Sequence, residues 1–442
     1  MSGSKTITFS GKGQPGDLLD PDNWVGDVVP GIADTALITM NVGGPVGGIF
    51  SVNNMMLLGS ETITFTGTLD TAGTAACQGL MVCDGAVAIF APGATLNDGN
   101  ALIVGNDAVG LLRALGNGTT HSVLNSVVAN IGKQDAGVGT VTIDDAVWTN
   151  SGHAYIGDDG AGKLNVINNG SIMFGAAVDM AAGAGSSGTL AIASGGSVVV
   201  AGALRAGVAT TAASGVASIK VGSGGGLTVD DTLAVGSGSE LDVAGGTVTA
   251  GVTADCLRTL AGGVIAGHGT LTAPVTEDDG TILASGGDLQ VNGNVIGTGA
   301  IEIAAHSTAT LTGANLKLAS IAFLGADGTL SLAHGSNVTA AISGFAIGDA
   351  IAMPDVDAVS FDAATGRLTL SEHNAQVATL HLTGGFAGDE FAIHQTAGGA
   401  VITLQHLLGS LAGAAYAASS SIACNAPTPF AAHWTSAAAG LA

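Results

Sequence analysis

The sequence predicts an all-β protein: a right-handed parallel β-helix closed by a C-terminal antiparallel β cap. Three observations predict it. Glycine supplies 72 of 442 residues, one motif returns at a nearly constant interval, and apolar and polar residues alternate within each copy. The motif recurs at Gly105, Gly132, Gly157, Gly183, Gly207 and Gly236, each preceded by an apolar residue. Between them lie cores such as GTVTIDDAVWTNSGHAYIG, GKLNVINNGSIMF and GTLAIASGGSVVVAGALRAG. Period-two alternation broken by Gly-Gly, Asn-Gly or Asp-Asp means strands joined by turns. Three short strands and three turns use about 24 residues, one coil of a solenoid. A single coil cannot bury its own interior, so coils must stack.

The elements follow in chain order. Residues 1–60, rich in turn formers, are expected to cap the first coil. Residues 61–340 carry the solenoid repeats; at about 24 residues per coil and about 4.8 Å between coils they predict roughly 12 coils and a rod of roughly 55 Å. From Val264 the strand spacing shortens, so the cross-section is expected to change there. Residues 341–406 show longer alternating strands joined by Asp-Gly and Gly-Asp turns, which predicts an antiparallel cap over the last coil. Residues 407–442 are rich in Ala and Ser and read either as a loose tail or as an arm docking on another subunit.

Charge excludes several functions. Ten Lys and Arg stand against 34 Asp and Glu, a net charge of −24, which repels phosphate backbones and anionic lipid. Nucleic-acid binding is excluded as a main activity. No run of about 18 strongly apolar residues could span a bilayer, so membrane insertion is not expected. Cys77, Cys83, Cys256 and Cys424 form no CxxC pair, which argues against a zinc or redox site. Cys77 and Cys83 read either as a small cross-strand disulfide or as buried thiols.

No catalytic constellation is evident, and no cofactor is expected beyond calcium. Arg113, Arg205, Arg258 and Arg367 lie apart, with no acidic cluster expected one coil away. That argues against lyase chemistry. Asp144-Asp145, Asp158-Asp159, Asp230-Asp231 and Asp278-Asp279 recur; they read as solvated turn residues or as a ladder of carboxylates that binds calcium. The ten histidines match no metal motif, His373, His381, His394 and His406 of the cap included. Sugar binding prefers aromatic platforms, and only Trp24, Trp148, Trp434, Tyr155 and Tyr416 offer a Trp or Tyr ring.

The stretch LLDPDNWVGDVVPGIADTALI resembles the opening segment of bacterial autotransporter-type surface proteins, and the GTL-x-V cores resemble autotransporter-associated passenger repeats. The region from 264 to 404 is similar to the C-terminal part of secreted α-proteobacterial surface proteins. The matching positions are Ile342, Gly344, Phe345, Gly348, Asp349 and Ile351, then Leu380, Leu382, Gly384, Phe386 and Phe391. The resemblance implies a β-helix displayed outside a bacterial cell. The opening MSGSKTITFSGKGQPGD has no apolar leader core and no transmembrane barrel follows, so the expected export is similar to that of type I secretion substrates, although their calcium-binding nonapeptide is absent.

The sequence thus predicts a non-enzymatic extracellular structural protein of the bacterial surface or biofilm matrix, whose partner is itself, in a fibre or layer. The expected assembly residues are the segment around Trp24 and the tail residues Leu407, Tyr416, Phe430 and Trp434. The alternatives are an adhesin, or a solenoid that binds or cleaves cell-surface polysaccharide.

Overall fold

The computed structural model describes residues 5–73, 79–208, 215–251, 257–386, 389–397 and 399–406. Among them the only helical turn is the 3-10 segment Pro21–Asn23; the rest of the regular structure is strand. Parallel pairing winds the chain around three ladders, so the protein is a parallel β-helix. Ladder A starts with Thr6–Thr8 on Thr35–Ile38, passes through Asn54–Leu57, Leu80–Val82, Ala101–Val104, Val128–Ile131 and Ala154–Ile156, and reaches Asn337–Val338. Ladder B runs from Thr62–Phe65 to Ala341–Ser343, and ladder C from Ile49–Val52 to Ala350–Met353. From Asn54 onward each coil visits A, B and C in turn.

The stack is longer than the sequence suggests. Ladder A has fifteen levels, about 67 Å at about 4.8 Å per step. The excess comes from the N-terminal segment, expected to be a cap: despite its many turn residues, Thr6–Thr8 and Thr35–Ile38 already lie in parallel register with the coils that follow. Its D-P-x-N-W residues tie the first coil together. Asp20 accepts from the backbone N–H of Gln14 and Asp22, and the Asn23 amide donates to the carbonyls of Gln14 and Asp17.

Strand alternation puts one residue of every two inside. On ladder B, Leu112, Val141, Leu164, Leu190, Ile219, Leu241, Ile265, Ile282, Ile301, Ile321 and Ile342 stack in single file, one per coil, all buried. Each such side chain contributes roughly 1.5–3 kcal/mol of apolar burial, available only because the coils above and below complete its surroundings.

The repeat spacing needs one correction. Register places Met180 beside Ile156 and Ala206, so the corner residue of that coil is Ala181 rather than Gly183. Ala181 holds φ 52°, where Gly157 and Gly207 hold 75° and 61°.

The coil narrows after Val264, as the sequence rhythm predicts. On ladder B one wide coil carries the chain from Val109 to its register partner Val138, and another from Ser187 to Val216. In the narrow section a coil needs only the span from Val264 to Thr281, or from Thr281 to Ala300. The corner loops vanish: Val264–Asp278 and Thr281–Ile296 run as unbroken strands through the bends. Gly293 makes one bend with φ 109°, where a Cβ would stand 1.8 Å from the Ala273 carbonyl oxygen.

At the C-terminal end Ala375–Thr383 adds one more parallel level to ladder B, beside Ala341–Ser343, and the rest closes with antiparallel pairing. Ala350–Met353 pairs with Gly399–His406, which pairs with Asp389–Thr396, while Ala358–Asp362, Arg367–Glu372 and Ala375–Thr383 form a meander. Phe323, Phe345, Phe361, Phe386 and Phe391 meet ring to ring beneath it, with centroids 4.7–6.1 Å apart. Asp349 is buried and accepts from the N–H of Gly328 and Ala346, so this motif residue fixes the turn into the cap.

Candidate functional site

The two ends of the rod differ. At the first coil, Thr6–Thr8 is bonded along one edge to Thr35–Ile38; on its other side Val25 N–H donates to Thr8 O. Beside that edge lies a cleft lined by Lys5, Ile7, Val25, Val28 and Asp34, and Val25 and Val28 are 62% and 55% exposed. Trp24 itself is not a surface residue. It is 1% exposed, packs on Phe9 and Phe50, and donates from Nε1 to Leu18 O at 2.9 Å. The surface of this segment is offered by its neighbours. Leu407, Tyr416, Phe430 and Trp434 lie outside the described residues.

The aspartate pairs do not form one ladder. Asp144 ends a ladder B strand and Asp145 follows it, Asp158-Asp159 and Asp278-Asp279 follow or end ladder A strands, and Asp230-Asp231 follows a ladder C strand. Five coil steps, about 24 Å, separate the level of Asp158-Asp159 from that of Asp278-Asp279. Asp144 accepts from the Asn168 amide, Asp145 from the Gly118 N–H, Asp231 from the Thr232 N–H, and Asp279 from the Thr298 N–H and hydroxyl. Those Thr298 bonds hold the Asp279 carboxyl below the usual carboxylate range.

Asp278 departs from the turn reading altogether. It is 0% exposed and occupies the inward ladder A position held by Val235 and Thr259 in the two preceding coils. Burial, with the charge of Asp279 adding, pushes its carboxyl up to about 7 against the opposing Gly280 N–H. Its Oδ2 and the hydroxyls of Thr259 and Thr276 have no hydrogen-bond partner.

The outer row of ladder A brings together residues the sequence left scattered. Asn130, Tyr155, Asp179 and Arg205 follow one another in register, one per coil. Asp179 accepts from Arg205 Nη1 at 3.0 Å and lies 2.8 Å from His153 Nε2. The His153 and Tyr155 rings are 4.5 Å apart. Burial, then the charges of Asp158 and Asp179, raise the Tyr155 phenol above its ordinary value; burial and Asp159 raise the Asp158 carboxyl. The sequence predicts no acidic cluster one coil from any arginine, and two single acidic partners at that distance escape it. Arg205 pairs with Asp179 of the preceding coil, and Arg258 with Glu277 of the following one at 2.8 Å. A search for opposite charges at the repeat interval would have found Asp179 and Arg205; Arg258 and Glu277 lie closer in sequence because the coil is already shortening there.

Among the described residues, Cys83, Asp84 and Asp107 place one donor atom each within 4.8 Å of one another; the buried Cys83 thiol lies 3.1 Å from Asp107 Oδ1. Cys77, its expected disulfide partner, lies outside the described residues. No helix is long and apolar enough to cross a membrane among those residues.

Among the described residues, the fold is a parallel β-helix whose first coil carries an exposed edge and whose last is covered by antiparallel strands. The sequence matches no protein-family profile and no curated protein.

Proposed function

We propose that the protein is a non-enzymatic structural rod of the bacterial exterior that assembles with copies of itself into a fibre or layer. The observation that carries this reading is the asymmetry of its ends: the first coil presents an incompletely paired strand beside exposed Val25 and Val28, whereas the last is covered by antiparallel strands. Open strand edges and exposed apolar side chains are what another chain completes. A contact between the first coil and a different surface of the next copy does not close on itself, so it propagates. Extracellular placement rests on the resemblance to surface-protein repeats and on the acidic composition.

Negative-stain electron microscopy of the purified full-length protein at two concentrations tests this. Filaments or sheets that grow with concentration are expected, and Val25→Asp with Val28→Asp is expected to abolish them while changing folding stability by less than about 1 kcal/mol, since both sites are exposed. Isolated rods at both concentrations would overturn the reading.

A further inference from the structure

We propose that the outer row of ladder A, centred on Tyr155, Asp179 and Arg205 with Asn130, His153 and Asp158 around them, is a binding groove for a neutral oligosaccharide chain. This goes beyond self-assembly and does not depend on it.

The row has a packed polar floor. Asn130 and Asp179 point outward from their strands yet are each only 7% exposed, Asp179 lying beneath the side chains of His153 and Arg205 that bind it. Residues at its floor rise one per coil, about 4.8 Å apart, a step close to the advance of one sugar unit along an extended chain. The polar groups are held in place before any ligand arrives: Asp179 is fixed from two sides by His153 and Arg205. Its remaining lone pairs, and the guanidinium N–H groups of Arg205 that Asp179 does not use, can accept from and donate to neighbouring hydroxyls. Tyr155 supplies an amphipathic ring with a polar tip, braced by His153 and suited to the apolar face of a sugar. The Oδ1 of Asn130, next in the row, is buried without a hydrogen-bond partner, a cost that a native structure keeps only for a reason.

Local charge selects the class of glycan. Asp158, Asp159 and Asp179 outnumber Lys133 and Arg205, the cations that face them, on a chain of net charge −24. A uronic-acid or sulfated chain would be repelled on approach. Neutral hydroxyl-rich units are not.

The test is an array of neutral hexose and N-acetylhexosamine tetramers, with tetragalacturonate as the anionic probe, applied to the full-length protein. At least one neutral tetramer is expected to bind. Tyr155→Ala and Arg205→Ala are each expected to weaken it tenfold or more, with Asp179→Asn as the shape-preserving third variant. Lys163→Ala, on the outside of ladder B, is expected to leave it unchanged. Thermal unfolding of every variant separates lost binding from lost fold. The Val25→Asp, Val28→Asp protein is expected to bind as well as the parent, which keeps this proposal distinct from assembly. The proposal is overturned if no neutral tetramer binds, if binding survives all three groove variants, if it is lost with the Val25 and Val28 changes, or if tetragalacturonate binds more tightly.

Discussion

In the pair Asp278-Asp279, one carboxylate accepts from Thr298 in the open while its neighbour sits in the core. A protonated carboxyl suits that core position, because burial penalises the charged form. The linkage has a definite sign. With its folded value raised to about 7, Asp278 binds its proton more tightly in the native state than in the unfolded chain. Its contribution is fully present below the ordinary carboxylate range and is lost as pH rises through about 7, by an amount on the order of 4 kcal/mol at most. Asp98 and Asp349, raised by burial as well, act in the same direction. Thermal unfolding should therefore occur at a higher temperature at pH 5 than at pH 8, and Asp278→Asn should reduce that difference. An unchanged difference would show that Asp278 is not its source.

At the scale of one coil, the corners carry the geometry. Gly132 holds φ 72°, and a Cβ there would stand 2.2 Å from the Ala161 carbonyl oxygen of the next coil. Gly132→Ala is expected to cost at least about 2 kcal/mol, the left-handed penalty plus the displacement of a stacked backbone, read as a lower urea midpoint. Ala181 tolerates a similar φ, which explains why the glycine spacing misplaces that corner. Much of the fold is legible in the sequence because alternation and turn glycines are local signals: the ladder B file of Val, Leu and Ile, the narrowing at Val264 and the antiparallel end all follow from them. The site is less legible, because a solenoid makes neighbours of residues one coil apart while leaving them distant in the chain. Asp179 and Arg205 look isolated until the register is known. Trp24 looks available for contact because aromatics are rare in this chain, yet the first coil uses it to fill an end that no earlier coil covers.

For the molecule as a whole, charge sets the conditions of assembly. Rods of net charge −24 repel side by side, and that repulsion reaches about 30 Å at 0.01 M salt but only about 3 Å at 1 M. Self-association is expected to strengthen with added sodium chloride, measured by light scattering; weakening with salt would point to attractive ion pairs between copies instead. Removing divalent cations with a chelator is expected to leave the unfolding temperature nearly unchanged. The aspartate pairs stand at different corners, and Asp145, Asp231 and Asp279 are already engaged by backbone N–H groups. A large drop would restore calcium as a structural partner.

The change in circumference near Val264 gives the rod an internal gauge. A duplicated segment spanning one wide coil, such as the stretch from Ser187 to the residue before Val216, fits the wide section and extends the rod by one step without disturbing any other level. The same segment inserted between Val264–Asp278 and Thr281–Ile296 would have to bulge, because those two strands turn their corners with no slack. Length in this architecture is thus readily adjusted in the wide section and resisted at these two levels, as on a measuring rule with a rigid joint part-way along.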